Sequence, residues 1–278
     1  MSRLWFLPVF LVACTGEPEK PAPTETPATA PEEATLAPLS LQDMQAGASM
    51  DALVPSPAET QRALANAGLT SSLTKMAEGR DFPVDVADND EVAVRTGVVL
   101  AHVVLGAKDA PKEKLIAQLA QLKVGLKKLG AKDKILTTID DLSARIGNDA
   151  TGRDELVREM DELANVMVPE VEYAVGDRAL PLLRAGAWLE GAWLVSGAIQ
   201  AEGRYDVATT LLRQPAVVSY FKDYLYGPGK AVAPAAINSE LQSTLAKLET
   251  ITAKETLGQE DVAAIHEATN ALLSKLEG

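Results

Sequence analysis

DAPKEKLIAQLAQLKVGLKKLG, residues 109–130, decides the fold class. Leu115, Leu119, Leu122, Leu126 and Leu129 recur at spacings of four, three, four and three, the period of one helix face. Asp109 and Pro111 stand where an N-cap and a first-turn residue belong, and Gly130 stands where the helix must close. Just beyond it, Ile135, Ile139, Leu142 and Ile146 repeat the pattern up to Gly147, so two helices joined by a short turn should pack antiparallel.

Working outward, the same period recurs almost everywhere. Leu156, Met160, Leu163 and Met167 form a stripe that Pro169 stops or kinks. Ile237, Leu241, Leu245 and Leu248 form another, and Val262, Ile265, Leu272 and Leu276 the last. Ser56-Pro57-Ala58-Glu59 has the form of a capping box. No run of alternating β-branched residues is long enough for a strand, and the stripes share no solenoid period. The expectation is an all-α fold over 39–278, an irregular compact helical bundle of about ten helices in one domain, with Gly227-Pro228-Gly229 as a joint before the last two.

Two segments depart from this amphipathic norm. Residues 92–106 are nearly all apolar, interrupted by Arg95 and His102, and residues 178–201 carry the near-repeat Gly186-Ala187-Trp188-Leu189-Glu190-Gly191-Ala192-Trp193-Leu194. Helices apolar all round are buried all round, and glycines, at about 1 kcal/mol each in helix propensity, let neighbouring backbones approach. These two should form the centre. A membrane span over 179–201 competes with that reading, but Arg184 and Glu190 fall inside it. Arg95, His102, Arg184 and Glu190 are therefore candidate buried polar groups. Glu190 is expected to pair with one of the arginines, either as an ion pair that fixes helix register or as part of a pocket for an anionic or zwitterionic ligand.

Composition narrows the function. The 278 residues hold 26 Lys+Arg against 39 Asp+Glu, a net charge of −13 that argues against nucleic acid as partner. One Cys excludes an internal disulfide, and two His leave little for a metal site. There is no phosphate loop and no Gly-x-Ser-x-Gly elbow. His266-Glu267 opens like a zincin motif that Asn270 breaks, and Val99 and Ala263 stand where a di-iron bundle needs Glu three before each His. Asp85, Asp88, Asp90 and Glu91 lack EF-hand spacing and fit helix capping better. No enzyme and no cofactor is expected. Eight Lys against three acids between 108 and 134 read as a solvated helix surface. Of nine rings beyond the first fourteen residues, eight lie in 173–226, so Tyr220, Tyr224 and Tyr226 are candidates for a partner surface.

The start of the chain sets location. Arg3 precedes the nine-residue apolar run from Leu4 to Val12, too short for a bilayer span of about 20 residues. Leu11-Val12-Ala13-Cys14 resembles the lipobox of bacterial lipoproteins, with a branched residue at −3, a small one at −1 and then the thiol. The resemblance implies a signal peptide over 1–13, diacylglyceryl transfer to Cys14, cleavage before it and N-acylation. It also implies a lipid membrane as partner, with other envelope proteins, and Thr15 in place of Asp favours the outer membrane. Residues 15–38, with six Pro, five Glu, five Thr and five Ala among 24, read as a tether reaching roughly 75 Å. In the body, Gly97-Val98-Val99-Leu100-Ala101, Leu126-Lys127-Lys128-Leu129-Gly130, Asn148-Asp149 and Gly186–Leu194 resemble landmarks of an uncharacterised group of all-helical bacterial lipoproteins. That likeness covers about residues 92–200 and implies fold and location alone. The two function classes in view are a non-catalytic interaction or scaffold module anchored in the envelope, and a lipoprotein that binds a small ligand between 92–106 and 178–201.

Overall fold

The Leu115–Leu129 stripe forms one buried helix face, each of its five leucines at most 1% exposed. It belongs to the computed structural model of the chain, which describes residues 54–162, 164, 178–227 and 236–278. In chain order the helices are α1 (Pro57–Asn66), α2 (Leu73–Met76), α3 (Asn89–Gly106), α4 (Lys112–Lys128) and α5 (Asp133–Gly147). They continue as α6 (Ala179–Glu202), α7 (Ala208–Leu212) behind a 3-10 turn at Tyr205–Val207, α8 (Pro215–Tyr226), α9 (Ala236–Thr252) and α10 (Gln259–Leu276). Residues 153–162 are helical too. No strand occurs among the described residues, and the fold is an all-α bundle. Cys14, the tether, Leu163, Met167, Tyr173 and most of the Gly-Pro-Gly joint lie outside the described residues.

Local chemistry sets the helix ends. The Ser56 hydroxyl accepts from Glu59 N while Ser56 N donates to Glu59 Oε2, closing the box expected for α1. Asp88 caps α3 by accepting from Glu91 N at 2.8 Å. Gly130, at φ +77°, ends α4: its N–H bonds the Lys127 carbonyl and that of Ala131 bonds Leu126. One expectation needs correction. Asp109 does not cap α4; its carboxylate accepts from the hydroxyls of Ser72 and Thr74, and Pro111 holds the cap position. Gly147 is the last residue of α5, where the pattern puts the helix end. The left-handed residue is Asp149, at φ +52°, with Ala150 N bonding the Arg145 carbonyl at 2.9 Å. Asp tolerates that conformation better than most side chains, and Lys112 holds its carboxylate at 2.9 Å.

Helices α3 and α6 form the centre and share the most extensive contact. On α3 every residue from Val92 to Gly106 is buried, and α6 is buried from Ala179 to Ile199 except at Arg184 and Ala192. The glycines explain how closely they meet. A Cβ on Gly186 would fall 2.1 Å from the Val94 carbonyl oxygen, so backbone rests on backbone there. Across the other side of α3, Gly125 of α4 leaves the space that Thr96 fills, with Oγ1 2.2 Å from where a Cβ would sit. Around this pair α4 leans on α3 and α5 on α4, while α10 covers α6 and pairs with α9. Among the described residues no helix is long and apolar enough to cross a membrane; the apolar surface of α6 faces protein.

Between α2 and α3 the chain crosses the bundle without regular structure, and residues 80–86 act as a strap. Phe82 and Val84 point inward and are buried. The strap is tied along its length: Pro83 O accepts from Arg95 Nη1 at 2.7 Å, Val86 O from Lys128 Nζ at 3.0 Å, and Asp81 O from Gly278 N at 3.2 Å.

Candidate functional site

The four candidate core groups separate into one pair and two outliers. His102, on the last turns of α3, and Glu190, in the middle of α6, meet with Nε2 2.7 Å from Oε1. Glu190 is fully buried and His102 is 6% exposed. A single buried hydrogen bond thus joins α3 to α6 at this point. Glu190 Oε2 has no hydrogen-bond partner among the described residues.

The expected arginine partner of Glu190 is thereby replaced by a histidine. Arg95 lies seven residues, about 10 Å, before His102 along α3. There it takes Glu91 of the preceding turn, with Nη2 2.6 Å from Oε1, and the Pro83 carbonyl of the strap. Arg184 is half-buried and sits six residues before Glu190, about 9 Å along α6 and on a different face. The periodicity of α3 and α6 allowed either arginine on an inward face; which one met Glu190 depended on the rotation of two helices about each other.

Sequence reading missed Arg80. Its side chain is 9% exposed, with Nε 2.5 Å from Glu277 Oε1. Its guanidinium lies 4.0 Å from the Trp193 ring centroid and 5.3 Å from that of Phe82. Nη1 and Nη2 have no hydrogen-bond partner among the described residues. Phe82 in turn packs edge-on against His102 at 5.4 Å. Strap, α3 and α6 thus close a ring of contacts, Arg80 to Phe82 to His102 to Glu190, and back through Trp193 one turn further along α6. A cavity of about 140 Å³ adjoins it, with Arg80, Asp81, Phe82, His102, Lys114 and Gln118 among its lining residues. A local motif gave no sign of this; the one available cue was a lone arginine beside a buried Phe in an unstructured stretch.

A second histidine is structural. Ser196 Oγ and His266 Nδ1 are 3.1 Å apart, an arrangement that invites comparison with a nucleophile and its base. Yet the Ser196 hydroxyl donates its proton to the Trp193 carbonyl at 2.9 Å, and His266 Nδ1 lies 3.1 Å from that same carbonyl. Nδ1 therefore carries a proton and donates, the opposite of what a base toward Ser196 requires. Ser196 is also fully buried. Burial pushes the His266 pKa below its ordinary value, partly offset by the Trp193 carbonyl, and the nearby Arg80 charge adds to the lowering.

The tyrosines need correction as a surface. Tyr220 is buried, and its ring stacks into a chain with Tyr224 at 5.7 Å, Phe221 at 5.1 Å and, beyond it, Trp188 at 5.5 Å from Phe221. Helix α8 is pressed against its neighbours on that side, so a ring expected to face solvent fills the core. Tyr224 and Tyr226 are half-buried, and burial raises the Tyr226 phenol above its usual range. Val124 is the one strongly exposed large hydrophobic among the described residues.

Three of the eight lysines between 108 and 134 pair with acids of their own chain. Lys112 pairs with Asp149, Lys123 with Asp140 and Lys128 with Asp85, whose carboxyl the lysine holds below the usual range. No group of His, Cys, Asp and Glu suited to a metal ion occurs among the described residues. No protein-family model matches the chain, no curated protein matches it, and no solved structure matches its fold.

Proposed function

We propose that the chain is a lipid-anchored, non-catalytic helical module of the bacterial cell envelope, attached through acylated Cys14 and carried on the 15–38 tether. The observation behind this reading is the lone Cys of the sequence, set in Leu11-Val12-Ala13-Cys14 and followed by a stretch with six Pro and one large aliphatic residue. The body is compatible with it: among the described residues the apolar faces of α3 and α6 are buried against protein. Two acyl chains or more anchor stably where one binds only marginally. Thr15 favours the outer membrane, and the partners are other envelope proteins within reach of the tether. The test is fractionation with metabolic palmitate labelling. The wild type should carry label and sediment with outer membranes, whereas Cys14→Ser should lose the label and leave the membrane fraction. Label retained in Cys14→Ser, or an unlabelled wild type, would refute the anchor.

A further inference from the structure

Three glycines stand inside α6, and packing requires two of them. Gly186 rests on the Val94 carbonyl, and a Cβ on Gly197 would fall 2.3 Å from the Met76 methyl. Gly191 is different. The nearest atom to its Cβ position is Thr60 Cγ2 at 3.8 Å, an ordinary contact, so an alanine would fit there and suit the helix better. Five residues beyond Gly186, about 140° round the axis, it lines a cavity of about 90 Å³ between α1, α6 and the turn from α7 to α8. Trp188, Val195, Leu248 and Ile265 give that cavity apolar walls, each at most 8% exposed.

The polar groups at its edge are mostly acceptors whose own protons are spent. Thr60 Oγ1, 3.9 Å from the Gly191 Cβ position, donates to the Ser56 carbonyl at 3.1 Å. Trp188 Nε1 donates to Gln214 Oε1 at 2.6 Å, and Gln214 Nε2 gives one of its two protons to the Leu211 carbonyl. Glu59 is the one charged residue lining the space among the described residues, a carboxylate with Oε2 on Ser56 N at 2.8 Å. Arg62 and Arg213, the cations adjacent to the lining in sequence, are exposed and line none of it. The cavity therefore suits a ligand that brings its own donors and a positive charge. An apolar cavity of about 150 Å³ takes a benzene ring, so one of about 90 Å³ takes about four carbons.

We infer that this cavity binds a short aliphatic ammonium ion, with an alkyl chain of about four carbons laid over Gly191 and the ammonium held at the edge by Thr60 Oγ1 and Glu59. Space for the chain accounts for a helical glycine that packing does not require. The inference is independent of the lipid anchor, because every group it uses lies in the helical body. It also moves the ligand site from the α3–α6 seam, which Gly97 and Gly186 close, to another face of α6.

The experiment is calorimetric titration of the full chain with n-butylammonium, n-butanol and butyrate at constant ionic strength, in a steroid-based zwitterionic detergent whose fused rings are too large for the cavity. Saturable binding of butylammonium in the millimolar range is expected, the scale for a ligand of about five heavy atoms. Butanol should bind about threefold more weakly, because an exposed carboxylate contributes modestly, and butyrate more weakly still. Glu59→Gln keeps the capping box, which glutamine also closes, so it should melt like the wild type and bind butylammonium no better than butanol. Gly191→Ala should melt at or above the wild-type temperature and weaken both ligands about threefold or more by filling part of the cavity. No saturation with butylammonium, equal affinity for butanol or butyrate, or unchanged affinity in Gly191→Ala would each overturn the assignment.

Discussion

A Cβ on Gly97 would lie 1.9 Å from the carbonyl oxygen of Leu183, closer than any real contact. The reciprocal pair, Gly186 on Val94, makes α3 and α6 touch through main chain in both directions. Backbone cannot swing aside as a side-chain end can, so the helices would have to part.

Gly97→Ala and Gly186→Ala should therefore each destabilise the fold by about 3 kcal/mol or more, at or above the upper end of overpacking costs. Gly152, with nothing within 4 Å of its Cβ position, provides the control. Gly152→Ala should change stability by less than about 0.5 kcal/mol. Denaturant midpoints for the three variants check this directly, and equal midpoints would refute the backbone contact.

The His102–Glu190 pair should show strong coupling. Glu190→Ala removes the partner of His102 Nε2 from the core, and His102→Ala leaves both oxygens of the buried Glu190 without a bond. Each should cost about 3–5 kcal/mol, as for other broken buried pairs. The double variant should cost clearly less than the sum, which a double-mutant cycle in urea measures. Additive losses would mean that the two side chains do not support one another.

Acidification should weaken the fold through His266. Its folded pKa lies below the ordinary 6.5 because burial disfavours the imidazolium. As pH falls from 6.5 the unfolded chain takes up the proton first, so the His266 contribution is intact above 6.5 and is lost on the way down to the lower folded value. Urea midpoints followed from about pH 8 to about pH 5 should fall less steeply in His266→Gln than in the wild type. Parallel profiles would exclude His266 as the source.

Much of the architecture was legible because helices advertise themselves locally. The Leu115–Leu129 stripe, the Ser56 box, Gly130 and the Asp88 cap each rest on residues within a turn or two of each other, and each is where the pattern puts it. The buried state of α3 and α6 was legible too, since helices apolar on all faces have nowhere else to go. What escaped depends on rotation and distance along the chain. Whether Glu190 meets His102 or an arginine, and whether Tyr220 looks inward, follows from how helices turn about their axes on packing. The left-handed turn at Asp149, beyond the end of α5, escaped because no glycine stands there. Arg80 reaches Glu277 across 197 positions of sequence, and no local rule anticipates such a contact.

The separation of 88 residues between His102 and Glu190 also bears on how the fold is assembled in time. Pairs such as α4 with α5, or α9 with α10, close through short loops and form early. The central seam must instead bring together segments from opposite halves of the chain, and the loop entropy comes due before the contact is made. On a chain delivered N-terminus first, α3 emerges with apolar residues on every side and waits for α6 before it can be covered. The centre thus cannot close before α6 is delivered, nor its far side before α10, and that interval is when the exposed apolar surface most favours aggregation.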